Sequence, residues 1–102
     1  MKIFRNPDVM WREEDEFRDQ AYKGLETGED VAEIGTSILL HSGKMHSLNI
    51  LGTEIWKLCD GKTMEDIIAS LREIFDVDEE VLKKDVNEFL MNIKEEGLIY
   101  EE

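Results

Sequence analysis

One cysteine, one proline and no long apolar run narrow what this chain can be before any pattern is read. The lone Cys59 excludes an internal disulfide. No apolar stretch approaches the ~20 residues that span a bilayer. The opening Met1-Lys2-Ile3-Phe4-Arg5-Asn6 lacks a signal-peptide core, so a cytoplasmic protein is expected. Positive charge is scarce as well: 12 Lys and Arg stand against 25 Asp and Glu, for a formal net charge of -13. So acidic a protein is repelled by nucleic acid and by anionic membrane, and neither is expected as a partner. Neutral or basic surfaces suit it better, above all a peptide or another protein. A glycine-rich phosphate loop, a Ser-His-Asp arrangement and a paired-cysteine motif are all missing. The carboxylates are dispersed over expected helical faces rather than paired for acid–base work. His41 and His46 flank a turn, with no third ligand suggested, so no metal is expected. Cys59 falls on an apolar stripe, where a cysteine serves as a small core hydrophobe. Neither a cofactor nor catalysis is expected.

The remaining composition supports a fold. Of 102 residues, 41% are hydrophobic and 36% charged, which suits one folded domain with a modest core rather than disorder. The organising stretch is Ser47 to Gly61. Leu48 ends an extended run, and the side chain of Asn49 suits the first free N–H groups of a helix. Leu48, Gly52, Ile55 and Cys59 share one helical face, and Gly61 stops the helix.

Before this joint, Pro7 suits the start of an edge strand, and Val9 and Trp11 alternate with Met10 and Arg12 as a short strand. Glu13 to Glu16 reads as a solvated turn. Phe17, Ala21 and Leu25, with Tyr22 beside them, form the stripe of a short helix ended by Gly28. Two strands, about Ile34–His41 and Lys44–Leu48, form a hairpin around Ser42-Gly43. After the joint, Thr63 and Asp66 resemble a capping box for a second helix bearing Met64, Ile67, Ile68, Leu71 and Phe75. Asp76 or Asp78 caps a third helix, whose stripe is Leu82, Val86, Phe89, Leu90 and Ile93, stopped at Gly97. Leu98-Ile99-Tyr100 is a β-prone tail expected to pack back on the sheet. The expected class is therefore α+β, winged helix-turn-helix-like, with a three-stranded antiparallel sheet followed by three helices.

Several of these residues together resemble the PqqD family. They are Leu39-Leu40-His41-Ser42-Gly43, Leu48-Asn49, Ile55 to Leu58 with Cys59-Asp60-Gly61, Ile67 and Leu71, Asp85-Val86 with Phe89-Leu90, and Gly97-Leu98. The likeness covers about Ile38 to Ile99. It implies a small peptide chaperone, the recognition element for ribosomally made, post-translationally modified peptides. Such a protein binds the leader of a precursor peptide and delivers it to a partner enzyme, commonly a radical SAM enzyme with an auxiliary iron–sulfur (SPASM-type) domain. The part up to about Gly35 is longer than the short strand that usually precedes the family's hairpin. Residues 13–33 thus read as an insertion or extension within a single domain spanning 1–102, and another modified-peptide system than that of pyrroloquinoline quinone is favoured. A monomer or weak dimer is expected.

Strand physics supplies a mode of binding for this role. The edge strand of a meander has unpaired backbone groups, to which an extended peptide can add. The expected peptide-binding residues are Lys44, Met45, His46, Ser47 and Leu48 on that strand. Val81, Leu82, Asp85, Glu88, Phe89 and Asn92 on the third helix are expected to form a second wall. The alternative is a helix-turn-helix regulator binding DNA. Ten acids against three lysines from Asp76 to Glu102 oppose it.

Overall fold

The structure, a computed structural model, describes residues 1–102. Its elements run β1 (Ile3–Arg5), β2 (Met10–Glu13), α1 (Asp15–Glu26), β3 (Ser37–His41), β4 (Lys44–Leu48), α2 (Ile50–Leu58), α3 (Met64–Ile74), α4 (Glu79–Glu95) and β5 (Ile99–Glu101). They fall into two compact units, Pro7–Glu54 and Met1–Asn6 with Ile55–Glu102, the division lying inside α2.

The first unit holds the antiparallel meander β2-β3-β4. Ser42 and Gly43 both take positive φ, 50° and 77°, which gives the two-residue turn whose twist suits a hairpin. Glycine meets that need at no steric cost. The acidic run is not a free turn: Glu13 closes β2, and Asp15 and Glu16 open α1, where they complement the helix dipole. Arg18 gathers them, lying 3.4 Å from carboxylate oxygens of Glu13, Asp15 and Asp19. The helix forms where its spacing predicts and turns the expected face inward, but only the middle of the stripe is buried. Ala21 and Gly24 are buried, while Phe17 and Leu25 are exposed. Packing is tight at Gly24, where a Cβ would stand 2.5 Å from Val31 Cγ1. At the base of β3 a buried hydroxyl cluster satisfies itself. Thr53 Oγ1 lies 2.6 Å from Thr36 Oγ1 and 2.7 Å from Ser37 Oγ. Burying these groups unpaired would cost several kcal/mol in all, at roughly 1–3 kcal/mol each.

The start of α2 is as expected, with Gly52 N–H donating to Asn49 Oδ1 at 2.9 Å. In the second unit Gly61, with φ of 77°, follows the end of α2. Thr63 and Asp66 form the reciprocal capping box of α3. Asp78 caps α4, accepting from the N–H groups of Glu80 and Val81. Ile67 and Leu71 of α3 and Leu82, Val86 and Ile93 of α4 are buried. The tail departs from expectation. β5 pairs antiparallel with β1, a strand the sequence pattern does not announce, and the two make a separate sheet. Phe4 stacks on Tyr100 across it at 5.7 Å.

Candidate functional site

The hairpin leaves β4 at one end of the strand order. Which of its backbone groups are open follows from register. Glu14 N–H donates to Thr36 O at 2.8 Å, continuing the β2–β3 ladder in which Arg12 faces Ile38 and Met10 faces Leu40. Residues of a central antiparallel strand direct their hydrogen-bonding groups to alternate sides. Ile38 and Leu40 therefore bond toward β2, and Ser37, Leu39 and His41 toward β4. Their partners Leu48, His46 and Lys44 are thus turned inward on β4. The N–H and C=O groups of Met45 and Ser47 point to the open edge.

Lys44, Met45 and Ser47 are exposed, His46 is half-buried and Leu48 is buried. On α4, Val81, Asp85, Glu88 and Asn92 recur at spacings of four, three and four and are all exposed, so they form one solvated stripe. Leu82 belongs to the buried stripe and Phe89 is half-buried beside it. The strand residues lie together in the first unit and the helix residues together in the second.

Sequence reasoning missed the solvent face of the meander. Met10, Trp11, Arg12, Ile38, Leu40 and Met45 line an open groove of about 350 Å³ there. The available signal was Ile38-Leu39-Leu40: three consecutive apolar residues in a strand necessarily place apolar side chains on both faces.

Other groups are accounted for by structure. Cys59 is fully buried, and burial pushes its thiol up to about 12, so it is a neutral thiol at pH 7 and a weak nucleophile. Tyr22 donates from its hydroxyl to Glu54 Oε1 at 2.7 Å. Burial first, and then this bond to a carboxylate, raise the phenol above its ordinary range. No three His, Cys, Asp or Glu side chains converge to hold a metal ion. No helix is long and apolar enough to cross a membrane.

Comparison with known proteins gives two findings. Residues 36–99 match the profile of the family described as Coenzyme PQQ synthesis protein D (PqqD). A solved structure, "TbiB1 in Complex with the TbiA(beta) Leader Peptide", shares the fold with a TM-score of 0.70 over 100% of both chains, at 22% sequence identity. A search of curated proteins finds no match.

Proposed function

The chain belongs to the PqqD family, and from that premise we propose that it is a leader-peptide adaptor. It binds the leader of a ribosomally made precursor peptide by strand addition and presents it to a modifying enzyme of the radical SAM/SPASM type. It is a binding protein, not an enzyme. The observation that carries this is the open edge of β4, where Met45 and Ser47 offer outward backbone groups at the end of a three-stranded sheet. The similarly folded TbiB1 was solved with a leader peptide, which supports the same class of ligand here. The exposed stripe Val81, Asp85, Glu88 and Asn92 is proposed as a second contact, favouring leader residues of opposite charge. Residues 13–33 are proposed as an extension added to the family's domain, since the family match begins only at residue 36. A cytoplasmic location suits a partner of ribosomal products.

The DNA-binding alternative loses on electrostatics. A recognition helix must neutralise phosphate, and α4 is anionic.

Amide chemical-shift mapping tests the proposal, using the leader of a candidate precursor peptide. The largest shifts are expected in Lys44–Leu48 and along Val81–Asn92. Met45→Pro removes an outward N–H and is expected to weaken binding strongly while leaving helix content nearly intact. Shifts confined to Phe17–Leu25 would move the peptide to α1 and overturn strand addition at β4.

A further inference from the structure

The outer face of the meander carries an apolar row that the core does not use. Register sets Met10, Leu40 and Met45 side by side across the three strands, with Arg12, Ile38 and Ser47 in the next row. Met10, Met45 and Leu40 remain 71%, 69% and 46% exposed. No carboxylate stands in either row. None occurs anywhere between Glu33 and Glu54, although the chain carries 25. Single exposed hydrophobes are ordinary, but a contiguous row on so acidic a protein marks a contact surface. Its two methionines are flexible and polarizable, suited to moulding against a partner.

The row ends on the open edge. Met45 offers its backbone to an incoming strand and its side chain to the outer face. A strand added there sets one residue directly opposite Met45, and directly opposite residues carry their side chains on the same face. That side chain extends the row by one place. A second copy of the chain would instead bring a second net charge of -13 into the same assembly, and that overall repulsion opposes it as the occupant.

We propose, resting on the strand-addition function above, that the leader residue paired with Met45 is bulky and apolar. Its side chain packs against Met45 at the end of the groove that Leu40 also lines. One leader position is then recognised twice, through backbone hydrogen bonds and through side-chain burial. The leader position beside Ser47, in the next row, takes small or polar residues.

Randomised linear peptides selected on the full chain, and on a Leu40→Thr/Met45→Thr double variant, test this. Threonine keeps strand propensity at both exposed sites, so the fold is retained. The wild-type chain is expected to enrich peptides with a large apolar residue at one fixed position. The double variant is expected to bind peptides still but to lose that preference, with the best wild-type peptide weakened roughly five- to tenfold. Adding that peptide is expected to shift the methyl signals of Met10 and Met45. A preference unchanged in the double variant, or unmoved methyl signals, overturns the proposal while leaving strand addition intact. Methyl signals that move with protein concentration alone, alongside a dimer in sedimentation, give the face to a second copy and also overturn it. If the wild-type chain selects no peptide, strand addition itself fails and the proposal falls with it.

Discussion

The β3–β4 hairpin and α4 distribute their apolar residues in opposite ways. In α4, Leu82, Val86, Leu90 and Ile93 follow one stripe and all are buried, while most of the remaining surface is charged. Helical period alone separates inside from outside. In β3, only Leu39 of the run Ile38-Leu39-Leu40 is fully buried, and Leu40 stays nearly half exposed. The helix is acidic and has no apolar residue beyond what its packing explains except Val81 and Met91. The hairpin lacks carboxylates and carries apolar surface that packing leaves over. A core requirement explains the first pattern; the second fits the contact surface proposed above.

The largest expected effect divides the two faces of the hairpin. Leu39→Ala should cost about 3 kcal/mol, because it opens a cavity at a fully buried site. Leu40→Ala, one residue on, should stay within about 0.5 kcal/mol in denaturant melts. Comparable losses from both would mean the outer face is structural. Next come the caps that start the helices. Asn49→Ala and Asp78→Ala should each lower stability by ~1 kcal/mol, read as a shifted midpoint at unchanged slope. A loss at Asp78 alone would mean that the hairpin exit, unlike α4, does not depend on its cap. The smallest effect on stability belongs to the α4 surface. Asp85→Lys should leave the melt within about 0.5 kcal/mol, yet weaken a basic leader and flatten the salt dependence of its affinity. A salt-independent affinity in the parent chain would assign recognition to the hairpin alone.

Much of this was legible from sequence wherever the determinant is local. Asn49, Thr63 with Asp66, and Asp78 announced helix starts because a cap bonds backbone groups within three residues of itself. Ser42-Gly43 announced the hairpin because the turn needs positive φ where glycine is tolerant. What escaped depends on partners distant in the chain. Ile3-Phe4-Arg5 is too short to show alternation, and its strand partner, Ile99–Glu101, lies at the far end of the sequence. On α1 the ends of the stripe were misjudged: Phe17 and Leu25 stay exposed, while Gly24, which has no side chain to weigh, is buried close to Val31. For the site, the edge position of β4 followed from the meander order. The groove beside Met45 did not, since three apolar residues in a row do not say which of them stays outside.

The β1–β5 pairing also sets an order of events during synthesis. Lys2 and Glu102 exchange both backbone hydrogen bonds, and Ile3 pairs with Glu101. Pro7–Glu54 is one continuous segment, whereas the other unit joins Met1–Asn6 to Ile55–Glu102. On a ribosome that emits the chain from its N-terminus, every residue of the hairpin's unit has been made while β1 still lacks its strand partner. The edge strand is therefore translated well before the rest of the protein can close, and a nascent chain stalled short of β5 carries the full sequence of the β4 edge on an incomplete scaffold.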